Sequence, residues 1–342
     1  MPADTHMRRE ILEIPQAVET LLANGALSMS TAAQALQGVD PAFIITIARG
    51  SSDHAATFFK YACELMAGVP VASIGPSVAS IYDCRLALKN SACLSVSQSG
   101  KSPDIVQMTK MAKEEGALSI ALTNHVDSDL AKVSRHAMDL HAGAELSVAA
   151  TKTFVNSIVS SIWLLAEWQQ DEALRSAIFD LPTTLEKAAQ LDWSALSTQI
   201  ATKQSLFCLG RGPALAMANE AALKFKETCR LHAESYSSAE VLHGPVSIVG
   251  QDFPVIALAA ADQAEPSLVE AADEIARKGA NVFVTSDKAK QATSLPCART
   301  SHPLTDSISL IVSFYAMVEQ VAGMRGLNPD EPRHLRKVTE TV

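Results

Sequence analysis

"LSVSQSGKSPDI", residues 94–105, decides the fold class. An apolar, β-rich run stops at Ser97, where hydroxyl and amide side chains crowd around Gly100. Ser102-Pro103-Asp104 then reads as a helix start, with Pro in the first turn and an acid at the positive end of the helix dipole. Strand, glycine turn and helix are the first parts of a parallel βαβ unit, and the same alternation runs on both sides. Residues 43–48, 92–96, 118–122 and 138–141 read as strands, and 53–66, 104–115 and 128–133 as the helices between them. This predicts a parallel sheet covered by helices. A longer helical pattern at 151–170 closes the first half, and "DLPTTLEKAAQLDW" (180–193) bridges to a second series. There the strands read as 206–209, 255–259 and 281–285, and the helices as 214–229, 265–278 and 306–323.

The second series repeats the first. "IARGSSDHAATFFKYACELM" (47–66) aligns with "LGRGPALAMANEAALKFKET" (209–228), which sets Arg49-Gly50 on Arg211-Gly212. Further along, "LSVSQSGKSPD" (94–104) meets "VIALAAADQAE" (255–265), so the hydroxyl-rich loop belongs to the first copy alone.

Composition narrows the function. A chain of 342 residues, 48% hydrophobic, buries enough apolar surface for two globular domains. Its net charge of −9, with no long run of like charge, gives no nucleic-acid surface. The expected partner is a small molecule. The N-terminal stretch, "MPADTHMRREILEIPQAVETLL", is charged at helical spacing and lacks a signal-peptide core. No uninterrupted apolar run approaches the roughly 18 residues that a membrane crossing needs. Cys63, Cys84, Cys93, Cys208, Cys229 and Cys297 form no C-x-x-C pair and no ligand-like spacing, so reduced cytoplasmic thiols and no metal site are expected.

The loop after residue 96 has the makings of an anion cradle. A turn from a parallel strand into a helix leaves backbone N–H groups unpaired at the positive helix end, where a phosphate is well placed. Ser97, Ser99 and Ser102 add hydroxyls, Gln98 an amide, and Gly100 lets the backbone approach closely. Ser51 and Ser52, after the first strand, would stand at a neighbouring strand end. An ordinary capping loop, its serines serving the backbone, has the same composition. In the second copy, Glu220, Lys224 and Glu227 fall on one helix face beside an apolar stripe of Met217, Ala218, Ala221 and Phe225. Such a charged set suits proton transfer at carbon, and it equally suits a solvated face with an i,i+4 pair.

Five motifs in order settle the choice: "SQSGKSPD" (97–104), "VAATKTF" (148–154), "ALKFKE" (222–227), "HAESYSSAEVLHGP" (232–245) and "PRHLRK" (332–337). Together they resemble the sugar isomerase (SIS) domains, most of all the isomerase half of glutamine:fructose-6-phosphate amidotransferases. The resemblance implies an α/β chain of two tandem SIS subdomains, each a flavodoxin-like parallel sheet between helices. It implies an N-terminal helical segment at 1–38, a first domain at 39–179, a second at 180–328 and a tail over the site at 329–342. It also implies a homodimer with shared active sites, a phosphosugar ligand and no cofactor. Carried over by position, Gly50, Ser51, Ser52, Ser97, Gln98, Ser99 and Ser102 would hold the sugar phosphate and its surroundings, with Val148, Ala149 and Glu220 also at the substrate. Glu227 would move the proton between C1 and C2 with Lys224 as its electrostatic partner. His243, reaching in from the other subunit, would open the ring, and Lys337 would cover the sugar and meet its carbonyl. His232 and Glu234 would order the loop around His243, with Gly244 held extended before Pro245.

Two departures shape the expected reaction. Residue 2 is Pro where the amidotransferases have their nucleophilic cysteine, so free ammonia, or no nitrogen chemistry at all, is expected rather than use of glutamine. The phosphate loop reads Gly-Lys-Ser-Pro-Asp, which is similar to the stand-alone deaminase and isomerase branch. The expectation is a cytoplasmic enzyme that reversibly converts glucosamine 6-phosphate to fructose 6-phosphate and ammonia by isomerisation and imine hydrolysis. An aldose–ketose isomerase, a deglycase acting on glycated amines, and a phosphosugar-sensing module are the alternatives.

Overall fold

The computed structural model describes residues 5–337. The last five residues of the expected tail lie outside them. In chain order the N-terminal helices are α1 (His6–Leu12), α2 (Ile14–Asn24) and α3 (Ala26–Val39). There follow β1 (Phe43–Ile47), α4 (Ser51–Met66), β2 (Val71–Ser73), α5 (Ser77–Ser80), β3 (Ser91–Val96), α6 (Pro103–Glu114), β4 (Leu118–Thr123), α7 (Asp129–Val133) and β5 (His136–Asp139). Helices α8 (Lys152–Gln169), α9 (Glu172–Phe179), α10 (Leu181–Ala188) and α11 (Ser194–Ile200) lead to β6 (Ser205–Gly210), α12 (Ala214–Cys229) and β7 (His232–Ser237). The chain continues through β8 (Pro254–Ala257), α13 (Glu265–Arg277), β9 (Asn281–Val284), β10 (Thr293–Ser294) and α14 (Pro303–Met324).

These elements form two compact units. One comprises Gln16–Glu145, Lys152–Phe179 and Lys337; the other comprises residues 5–15, Leu146–Thr151 and Asp180–Arg336. In the first unit a five-stranded sheet runs β2-β1-β3-β4-β5, every pair parallel. β3 lies at its centre and is buried along its whole length, which is why its sequence is an apolar run rather than an alternation. Ile45, Ile47 and Cys93 on one sheet face pack against Ile105, Met108 and Ala112 of α6, while α3 and α4 each pack against α8 over the strands.

The second unit repeats this topology strand for strand, as β7-β6-β8-β9-β10, again all parallel. Both copies have the flavodoxin-like order 2-1-3-4-5, whose switch point lies between the first and third strands. The repeat extends to backbone detail. Gly50 and Gly212, paired in the sequence alignment, both open the turn after the first strand at φ +56°. Helix α14 is long and apolar enough to cross a membrane, but 83% of its apolar window is buried in this unit, against α10, α11 and α12. It is a core helix.

The sequence reading missed β2, β7 and β10, and β5 starts two residues before the expected 138. All four are edge strands. An edge strand buries fewer side chains, so its hydrophobic pattern is weak; β7 reads His-Ala-Glu-Ser-Tyr-Ser. His232 and Glu234 are therefore strand residues, on the edge strand that leads into the segment carrying His243. The bridge at 180–193 contains helix α10, and the expected N-terminal helical segment forms the three helices α1 to α3.

Candidate active site

In the first unit, the turn after β3 lies beside the turn after β1, because β1 and β3 pair in register up to Ile47 and Ser95. The expected phosphate residues thus gather at two adjacent strand ends. Leu122 O accepts from Ser97 N at 3.0 Å and Gln98 O accepts from Asn124 N at 3.1 Å, which ties the loop to β4. Gly100 is obligatory: it sits at φ +61°, and a Cβ there would lie 2.1 Å from Ser128 Oγ. Asp104, wholly buried at the start of α6, accepts from Arg49 Nε at 3.0 Å and Nη2 at 2.7 Å. The arginine of the repeated Arg-Gly pair therefore braces the helix that follows the phosphate loop.

The serines divide between the two alternatives left by the sequence. Ser97 Oγ accepts from Gly100 N at 3.2 Å and Ser99 Oγ accepts from Lys101 N at 3.3 Å, so both also serve the loop backbone. Ser102 occupies the N-cap position of α6, yet its hydroxyl makes no cap bond. Among the described residues, the backbone N–H groups of Gln98, Ser99 and Ser102 have no protein acceptor. These donors form a partly exposed cluster at a helix start, a setting whose dipole favours negative charge. Ser51 and Ser52 form the first turn of α4 after Gly50.

In the second unit, Glu220, Lys224 and Glu227 are not a solvated face. Lys224 and Glu220 side chains are fully buried, and Glu227 is 19% exposed. Lys224 Nζ lies 2.5 Å from Glu227 Oε2 and 3.2 Å from Glu220 Oε1, while Tyr315 of α14 donates its hydroxyl to the same Glu220 oxygen at 3.1 Å. Burial alone would push the Lys224 ammonium down, but the charges of Glu220 and Glu227 and their hydrogen bonds outweigh it and hold it above its ordinary value. The apolar stripe of Met217, Ala218, Ala221 and Phe225 is fully buried, as its spacing predicts. Tyr315 had no signal in the sequence, because α12 and α14 come together only in the fold.

The remaining residues are placed as follows. His243 ends a short 3-10 turn, Glu240–His243, exposed and with no side-chain hydrogen bond among the described residues. Gly244 is not extended, as the following proline led us to expect; it takes φ +145°, which glycine tolerates. Val148 is half-buried and Ala149 fully buried, and Val148 N donates to Asp330 O at 3.3 Å. Lys337 Nζ donates to the buried Glu145 carboxylate at 2.9 Å, and Glu145 also accepts from Thr153 N and Oγ1 at the start of α8. No group of three potential metal ligands converges among the described residues.

A family model for the SIS domain matches residues 40–167 and 199–323. A glutamine–fructose-6-phosphate aminotransferase of Sulfolobus acidocaldarius is 33% identical over 307 residues, covering 87% of this chain and 50% of that protein. The chain thus spans about half the length of such curated relatives. The crystal structure of a protein from Silicibacter pomeroyi, provisionally named a phosphosugar isomerase, is 59% identical with a TM-score of 0.93, covering 95% of this chain and all of that one. The C-terminal domain of the Francisella tularensis glucosamine-fructose-6-phosphate aminotransferase shares the fold, with a TM-score of 0.84 at 24% identity over 96% of this chain and 98% of its own.

Proposed function

The chain belongs to the SIS domain family, and on that premise we propose that it is an amino-sugar-phosphate deaminase and isomerase. Glucosamine 6-phosphate is its substrate, and fructose 6-phosphate and ammonia are its products. The loop of Ser97, Gln98, Ser99 and Ser102, with Ser52, takes the phosphate through hydroxyls and backbone N–H groups. His243, contributed by the partner subunit of a dimer, opens the pyranose ring. Glu227 then removes the C2 proton from the open aldehyde and returns it to C1, while O1 gains a proton and the amine becomes an imine at C2. Water adds to that imine, and ammonia leaves to give the ketone. Lys337, whose ammonium is held by Glu145 at 2.9 Å, is the cation nearest in role to the developing charge at the carbonyl.

The observation that carries this reading is the 2.5 Å contact between the buried Lys224 ammonium and the partly exposed Glu227 carboxylate. A carboxylate that moves a proton between neighbouring carbons must be held in place, and the charge-assisted bond from Lys224 fixes where Glu227 stands. The deciding experiment incubates the purified chain with glucosamine 6-phosphate and follows ammonia and fructose 6-phosphate together. Equal release of the two supports the reading, and isomerisation without ammonia replaces it with an aldose–ketose isomerase.

A further inference from the structure

Two carboxylates outside the proposed chemistry control the segment that carries Val148 and Ala149. We propose that Glu10 and Asp330 are positioning residues, fixing where that segment meets the sugar. This rests on the phosphosugar reading above, which sets Val148 and Ala149 at the substrate.

The contacts form a closed circuit within the second unit. Asp330 carboxylate oxygens accept from His6 N and Met7 N at 2.7 Å each, so a negative charge fixes the N-terminus of α1 at the positive end of its dipole. Thr5 adds the side-chain cap, accepting from Arg8 N at 3.0 Å and donating to Glu319 Oε1 at 2.9 Å. Helix α1 so anchored presents Glu10, which is 4% exposed. The Glu10 carboxylate accepts from Leu146 N in a short bond and from Ser147 N at 3.3 Å to each oxygen. The next amide, Val148 N, donates to the backbone oxygen of Asp330 and closes the circuit.

Three successive amides are therefore held by two acidic residues that come from opposite ends of the chain. Water would satisfy loop amides at no cost, whereas a buried carboxylate carries a desolvation penalty. What the arrangement provides is a fixed backbone path just before Ala149, and a bond to a charged acceptor is harder to displace than one to water. The sequence signal was present in "RREIL", where Glu10 stands among charged residues, but its acceptor role depends on a segment more than a hundred positions away.

The test uses the full chain with Glu10→Gln, which keeps the side chain's shape and turns one oxygen into a donor facing the amides. Binding of fructose 6-phosphate and of inorganic phosphate is measured by calorimetry, and hydrogen exchange of the 146–149 amides by mass spectrometry. The expected result is faster exchange at 146–149, a dissociation constant for fructose 6-phosphate raised on the order of tenfold, and phosphate binding unchanged. With glucosamine 6-phosphate, KM should rise while kcat stays within a few-fold. Unchanged fructose 6-phosphate binding despite faster exchange overturns the proposal, and so does an equal loss of both ligands, which marks a general structural role. Asp330→Asn, scored on the same ligands, decides the matter should Glu10→Gln not fold. If the unaltered chain binds phosphate but not fructose 6-phosphate, the phosphosugar reading itself has failed, and the unaltered chain alone reveals that.

Discussion

Lys224 Nζ and Glu227 Oε2 stand 2.5 Å apart, the ammonium fully buried and the carboxylate open enough to meet a ligand. The same ammonium bonds Glu220, so two carboxylates share one cation and the set carries a net charge of about −1. Replacing Lys224 by Met leaves the two acids without their cation. Glu227 then loses the charge-assisted bond that holds its carboxylate, so kcat should fall while sugar binding persists. Stability should fall by roughly 3–5 kcal/mol, the usual cost of breaking a buried pair. An unchanged kcat in a folded Lys224→Met protein would show that the pair has no part in proton transfer.

Tyr315 extends this prediction to a residue that touches no reacting atom. Its hydroxyl donates to Glu220 Oε1 at 3.1 Å and shares that oxygen with Lys224. In Tyr315→Phe, Glu220 loses a donor and draws more on Lys224, so Glu227 is left with less of the cation. Again kcat should fall, by less than in Lys224→Met, alongside a stability loss of about 1–3 kcal/mol. Denaturant unfolding and steady-state kinetics on the same preparation check both. A stability loss with kcat unchanged would confine Tyr315 to packing.

Ser102 separates a phosphate ligand from a helix cap. A serine that caps a helix costs roughly 0.5–2 kcal/mol when replaced by alanine. Ser102 makes no cap bond, whereas Ser128 does cap α7, accepting from Ala131 N. Ser102→Ala should therefore leave the unfolding midpoint unchanged and raise KM for the phosphosugar, while Ser128→Ala should lower stability. Ser99→Ala should raise KM as well, at a cost of roughly 1.5–3 kcal/mol for a charge-assisted bond. Thermal unfolding and steady-state kinetics on the three variants give the comparison, and a destabilised Ser102→Ala with normal KM would return the loop to an ordinary capping role.

What the sequence could reveal followed how each feature is encoded. Central strands such as β3 are buried on both faces and announce themselves as apolar runs, so their number, order of appearance and parallel sense were legible. The edge strands β2, β5, β7 and β10 were missed or misplaced because half of each faces away from a neighbour and its pattern is diluted. At the site, Glu220, Lys224 and Glu227 were legible because one helix supplies all three. Tyr315, Glu145, Glu10 and Asp330 were not, since each acts across an interval of the chain that only the fold closes. Periodicity also could not tell a buried charged face from a solvated one. The burial of Lys224 and Glu220 depends on α14 lying over α12, a contact with no local signature.

The His243 side chain has no hydrogen bond among the described residues and lies exposed at the end of its 3-10 turn. Subunit sharing gives a test that does not depend on any single rate. Glu227→Gln keeps the side chain's shape but removes the base, so proton transfer should fall by roughly 10²- to 10⁴-fold while sugar binding persists. His243→Ala should be similarly impaired because ring opening loses its acid and base. In each mutant homodimer both sites are damaged. In a heterodimer of the two, one site carries both defects and the other carries neither, provided that His243 serves the neighbouring subunit's Glu227. Mixing the two inactive proteins under conditions of subunit exchange should then restore up to about half of the activity per heterodimer, since one of its two sites is whole. Native mass spectrometry establishes that exchange has occurred. Verified heterodimers without recovered activity would assign His243 to its own chain's site and remove the composite arrangement from the mechanism.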